Sequence, residues 1–167
     1  MNDTERHTDP LPTLSLPLPT LEPLAIVTVD LGPVIELGET PSGRRRIVPI
    51  AGGNLQGPAL AGRVLPGGAD WQTVLDNGTA LIEARYTLQL TDGALVALSA
   101  QGVRTGRPHV LAALARGEDV DPRDYYFRFT VAAETSSEEY AWLGRSVLLA
   151  TGARGPEHVT YDLYRAT

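Results

Sequence analysis

The chain contains neither cysteine nor lysine. Without cysteine there are no disulfides, no thiolate nucleophile and no thiolate metal ligand. All fourteen basic residues are arginine, which removes Schiff-base chemistry and the phosphate-loop lysine. Aromatic residues make up 6% of the chain, too few for a platform that stacks successive bases of single-stranded nucleic acid. The net charge is −6 with no extended basic stretch. Nucleic acid and anionic membranes both demand clustered cations, so neither is expected as a partner.

No apolar run approaches the roughly 20 residues that span a bilayer. The acidic start at Met1-Asn-Asp-Thr-Glu5 lacks the basic n-region of a signal peptide, and the expectation is a cytoplasmic protein. His7, His109 and His158 are scattered without ligand spacing, and Glu118-Asp-Val-Asp-Pro-Arg-Asp124 lacks the glycine and distal glutamate of a calcium loop. No nucleophile elbow or dinucleotide fingerprint is present. The expectation is a protein working without metal or cofactor.

What is present is turn chemistry. The 167 residues include 17 glycines and 13 prolines, with 43% hydrophobic and 20% charged residues, a balance that suits one turn-rich domain. Residues 1–23 form a Pro/Leu-rich arm, in which five prolines between Pro10 and Pro23 predict extended or disordered chain. Residues 24–167 are read as the domain proper.

Within it, Leu24–Leu31, Val34–Leu37, Ile47–Ile50, Leu55–Leu65, Thr79–Leu90, Ala94–Val103, Tyr125–Ala133, Ser146–Thr151 and His158–Arg165 read as strands. The clearest is Thr79–Leu90, where Ile82, Ala84, Tyr86 and Leu88 alternate with Glu83, Arg85, Thr87 and Gln89. Thr91-Asp-Gly93 then predicts a hairpin to Ala94–Val103. Pro108–Gly117 is the helix candidate, and residues 137–143 can form one further turn. Nine or so strands without a strand–helix–strand rhythm predict an all-β, mostly antiparallel closed or nearly closed β-barrel with one or two short helices.

The ordered motifs Ile50-Ala-Gly-Gly53, Gly57-Pro-Ala-Leu-Ala-Gly62, Pro66-Gly-Gly-Ala-Asp-Trp-Gln72, Ala84-Arg-Tyr86, Thr91-Asp-Gly93 and Tyr125-Tyr-Phe-Arg128 resemble the bacterial and fungal family known as domain of unknown function 3237. The resemblance runs over about residues 24 to 165. It implies a β-barrel and no particular reaction.

Candidate chemistry centres on Asp70-Trp71. A carboxylate beside an indole in a glycine-lined bend can have its pKa raised by desolvation and serve as general acid or base, or it can cap a turn through backbone amides. Arg128 shares a strand face with Tyr126 and Thr130; if that face is interior, its guanidinium binds a carboxylate or enolate and partners Asp70, and otherwise it makes a structural ion pair. Glu83 and Arg85 are either a pocket pair or an exterior pair, and Trp71, Tyr126 and Trp142 are candidate ligand-contacting walls. Arg44, Arg45 and Arg46 form either a solvated hairpin end or an anion-contacting rim.

The resulting expectation is a small-molecule-binding barrel, catalysing isomerisation, cyclisation or elimination by acid/base chemistry on a partly apolar metabolite. Asp70 and Arg128 are its catalytic candidates, with a homodimer as a further expectation. The alternative is a non-catalytic ligand carrier with the same lining.

Overall fold

The computed structural model describes residues 16–167; most of the Pro/Leu-rich arm lies outside them. Ten strands run in chain order: β1 (Leu21–Leu31), β2 (Ile35–Thr40), β3 (Gly43–Gln56), β4 (Ala61–Val64), β5 (Ala69–Val74), β6 (Ala80–Leu90), β7 (Leu95–Gly106), β8 (Tyr125–Glu134), β9 (Leu148–Arg154) and β10 (His158–Ala166). One helix, α1 (Pro108–Ala115), lies between β7 and β8, and the turn expected over residues 137–143 becomes a 3-10 turn at Leu143–Arg145.

All pairings are antiparallel, and they close a barrel in the order β1-β10-β9-β8-β7-β6-β4-β3, with β3 returning to β1. β5 pairs with the same two neighbours as β4, β3 and β6, but further along them, and β2 lies outside the ring on β3. Closure removes the unpaired strand edges that an open sheet of this length would expose.

Alternation decides which residues fill the barrel. In β6, Ile82, Ala84, Tyr86, Leu88 and Leu90 are buried while Leu81, Glu83 and Arg85 are exposed. In β8, Tyr125, Phe127, Phe129 and Val131 point inward and Tyr126, Arg128 and Thr130 outward. These inward residues join Val27, Leu24, Leu148 and Leu163 in one continuous core. Burying each large apolar side chain contributes roughly 1.5–3 kcal/mol, so a face offering two phenylalanines outcompetes one offering a guanidinium for the interior.

The count of ten strands rather than nine has a local cause. The expected strand at 55–65 is divided: β3 runs through Gln56, and β4 begins at Ala61. The supposed bend at Asp70-Trp71 is itself strand β5. β3 is 14 residues long because it changes partners along its length, lying against β2 and β5 in its first half and against β1 and β4 in its second. β1 starts at Leu21, three residues earlier than expected, and the register irregularity after Pro23 accommodates a residue with no amide to donate.

Two glycines permit the close strand approaches. Gly53 has φ +139°, and a Cβ there would run into the carbonyl oxygen of Thr28 on β1. Gly68, just before β5, lies so tightly on β6 that a Cβ would strike the Arg85 carbonyl and Tyr86. Only glycine fits either contact without moving backbone.

Candidate functional site

Three strands carry an arginine where their own alternation predicts an apolar side chain. Arg46 continues the inward parity of Val48 and Ile50 on β3, Arg104 that of Leu98 and Ala100 on β7, and Arg154 that of Leu148 and Ala150 on β9. All three therefore point into the barrel, where they line one cavity together with Asp70 and Gln72 of β5. The cavity encloses about 70 Å³, room for about five waters, since one water needs about 10–15 Å³. Beyond this polar end its wall is apolar and aromatic, with Val29, Ile82, Phe127, Phe129, Tyr86 and Tyr161.

Gln72 organises the polar end. Arg46 Nε donates to Gln72 Oε1 at 2.9 Å, and Gln72 Nε2 donates to Asp70 Oδ2 at 2.5 Å. This fixes the amide orientation and links a cation to a carboxylate through a neutral side chain. The other carboxylate oxygen, Asp70 Oδ1, accepts the backbone amide of Glu83 at 3.0 Å. Asp70 thus does bond a backbone amide, but across the sheet on β6 rather than within a local turn.

Burial raises the Asp70 pKa above the ordinary aspartate value; the bonds from Gln72 and Glu83, and the charges of Arg104 and Arg46, offset part of that rise. The result is a carboxyl group whose neutral form is favoured relative to a solvated aspartate.

Arg154 is anchored. Its Nη1 donates to the carbonyls of Gly155 at 2.5 Å and Pro156 at 3.3 Å in the β9–β10 connection, and of His158 at 3.2 Å at the start of β10. Arg104 is not. It is 7% exposed, its guanidinium lies 5.9 Å from the Phe127 ring centroid, and among the described residues it has neither a hydrogen-bond partner nor an ion pair. Desolvation, then the neighbouring charges of Arg46 and Arg154, pull its pKa down to about 10, so it remains a cation at neutral pH. Against three guanidinium groups, Asp70 is the single carboxylate in the cavity wall.

Deeper in the barrel the Tyr86 and Tyr161 hydroxyls meet at 2.5 Å, and Tyr161 sits edge-on to Phe129 with centroids 5.1 Å apart. Burial pushes Tyr86 up to about 12 and Tyr161 well above its ordinary value. Both phenols are therefore neutral near pH 7, able to donate or accept a hydrogen bond but not to carry charge.

The residues singled out in the sequence do not assemble into one site. Of the catalytic and ligand-contacting candidates, only Asp70 reaches the interior cavity; Arg46, from the arginine run, joins it there. Arg128 and Tyr126 lie on the outer wall, the Arg128 guanidinium 5.4 Å from the Tyr126 ring centroid and its Nη1 bonded to the Phe127 carbonyl at 2.9 Å. The expected shared cavity of Asp70 and Arg128 is therefore overturned, because Phe127 and Phe129 take the inward positions. Trp71 and Arg85 also face outward, along a broad groove of about 770 Å³ between them and Glu134. Glu83 is exposed and contributes only its backbone amide to the cavity wall. Trp142 packs against the core with Arg165 5.3 Å from its ring centroid.

Of the arginine run, Arg44 pairs with Glu36 outside while Arg46 turns inward, so the anion-contacting alternative falls to one residue of three. Sequence reading missed Arg104, Arg154 and Gln72. The available signal was a charged residue in phase with an apolar face. Among the described residues no group of three or more His, Asp or Glu is placed to hold a metal ion. No helix among them is long and apolar enough to cross a membrane.

The family profile described as "Protein of unknown function (DUF3237)" matches residues 19–166. A UPF0311 protein of Bradyrhizobium diazoefficiens is 41% identical over 149 residues, covering 88% of this chain and 97% of its own length. The crystal structure of a β-barrel-like protein from Acinetobacter baumannii superposes with a TM-score of 0.82 at 46% identity, covering 93% of this chain and all of the other. The structure of an enzyme from Penicillium herquei has a TM-score of 0.66 at 22% identity, covering 92% of this chain and 99% of that one, a likeness of fold alone.

Proposed function

The chain belongs to the DUF3237 family, and we propose that it is a cofactor-independent enzyme that binds a small, partly apolar molecule inside the barrel and moves a proton with Asp70. The observation that carries this reading is the Asp70 carboxyl: directed into an enclosed, mostly apolar cavity, held from both oxygens, and raised in pKa by burial. A base so placed abstracts a proton from a carbon next to a substrate carbonyl and returns it elsewhere on the same molecule in an isomerisation or cyclisation, or to the departing group in an elimination. The charge then developing on the carbonyl oxygen needs fixed positive groups, and Arg104 and Arg46 line the same cavity.

The proton balance closes without a cofactor, because Asp70 gives back what it takes. The same frame supports a carrier if nothing bound there has an acidic hydrogen within reach of Asp70.

The test is hydrogen–deuterium exchange at the benzylic carbon of 2-tetralone, a neutral ketone, followed by proton NMR in D2O. Wild-type protein is expected to accelerate exchange over buffer, with Asp70→Asn reducing that acceleration about 100-fold or more and Asp70→Glu retaining part of it. Equal rates for wild type and Asp70→Asn would leave the carrier reading.

A further inference from the structure

We propose that the ligand of this cavity carries a planar oxyanion, a carboxylate or the conjugate base of an acidic enol, and that Arg104 is the residue that pairs with it. This rests on the interior cavity being the binding site, as argued above, but not on Asp70 acting as a base. The carrying observation is a mismatch. A guanidinium removed from water is normally paired with an acid or with several carbonyls, and Arg154 in the same cavity follows that rule. Arg104, 7% exposed, has no such partner among the described residues; its guanidinium lies by the face of Phe127, and since no fully buried side-chain nitrogen or oxygen among them lacks a partner, its nitrogens stay open to the cavity.

Asp70 does not fill the vacancy: its hydrogen bonds run to Gln72 and to the Glu83 amide, and among the described residues no hydrogen bond or ion pair joins it to Arg104. Arg46 leans on Gln72 in turn. The cavity therefore holds a surplus of positive charge at one end, and the missing anion has to come from outside the chain.

Geometry restricts the class further. Arginine presents a planar fork that matches two coplanar oxygens, so a carboxylate or enolate fits better than a spherical halide. The wall beyond the arginines is Phe127, Phe129, Ile82 and Val29, so the body of the ligand is apolar or aromatic. A cavity of about 70 Å³ excludes nucleotides and polyphosphates, which are several-fold larger and would bring more charge than the polar end can meet.

Benzoate and benzamide test this, since they share shape and differ in charge. Isothermal titration of wild-type protein should show benzoate binding at least tenfold more tightly than benzamide. Arg104→Gln should lose at least tenfold in benzoate affinity and leave benzamide unchanged, while Arg128→Gln, altered on the outer wall, should match wild type. Should Arg104→Gln fail to fold, the thermal shift of wild-type protein by each compound supplies the same comparison.

Equal binding of the two compounds, no benzoate binding at all, or benzoate binding indifferent to Arg104 would overturn the proposal. The two readings fail separately. Loss of benzoate binding with Asp70-dependent exchange of 2-tetralone intact removes the anion assignment alone, whereas Arg104-dependent benzoate binding without Asp70-dependent exchange removes only the proton-transfer role.

Discussion

Arg104 and Asp70 line one cavity without forming an ion pair: the carboxylate is held by Gln72 and the Glu83 amide, and the guanidinium is left over the ring of Phe127. An ion pair between them would neutralise both and leave a filled, inert interior. Held apart, they present a carboxyl group of raised pKa and a cation to the same small space.

That arrangement costs stability. Desolvation and the charges of Arg46 and Arg154, only partly offset by Asp70 and Tyr125, lower the Arg104 pKa from its ordinary 12.5 to about 10, so below pH 10 the folded state carries the full net penalty of this buried charge. Arg104→Met, similar in shape and uncharged, is expected to stabilise the ligand-free protein by roughly 1–3 kcal/mol. The melting temperature should rise by several degrees while benzoate binding is lost. A lower melting temperature for the variant would mean that Arg104 is already compensated.

Asp70 supplies a pH-dependent counterpart. Its folded-state pKa lies above 3.8, so across the window just above 3.8 the folded protein binds more protons than the unfolded chain, and Asp70 weighs against folding as pH rises through that window. Below 3.8 both states are protonated and the penalty vanishes. In urea melts from pH 4 to pH 7, the stability of Asp70→Asn relative to wild type should therefore improve with rising pH. A difference that moves the other way would mark Asp70 as a stabilising carboxylate with a lowered pKa.

Barrel closure is concentrated at Gly53, where β3 passes against β1 at a φ of +139°. Gly53→Ala adds a methyl group directly into the Thr28 carbonyl and places alanine in a conformation that L-residues rarely adopt. It should cost at least about 3 kcal/mol, visible as a lower urea midpoint. A loss under about 1 kcal/mol would show that the seam has slack.

Arg128→Gln removes a cation from the outer wall and should change stability by less than about 0.5 kcal/mol, with exchange and binding as in wild type. A large loss of ligand affinity in this variant would return Arg128 to the site.

The barrel was legible because its strands are punctuated by turns such as Thr91-Asp-Gly93 and because β6 alternates without interruption. β5 was not, since Ala69-Asp-Trp-Gln-Thr-Val74 mixes polar and apolar residues on both parities and shows no period of two. Alternation in β8 correctly separated Arg128, Tyr126 and Thr130 from Phe127 and Phe129, but it cannot say which set faces inward. That choice belongs to the whole barrel, whose interior takes the larger apolar area.

Asp70 was found because an acid beside a tryptophan in a glycine-rich segment is conspicuous. Arg104 was passed over because Gly102-Val-Arg-Thr-Gly106 reads locally as the polar end of a strand. Its meaning appears only when its parity with Val96, Leu98 and Ala100 is followed to the end of β7.

A crystal structure of the protein grown with benzoate decides whether the working site is the barrel interior at Asp70 and Arg104. Density is expected for the ring among Phe127, Phe129 and Ile82, with the carboxylate within hydrogen-bonding distance of the Arg104 guanidinium. Benzoate found instead in the outer groove beside Trp71 and Arg85, with the interior closed to it, would rule the interior out as the anion site.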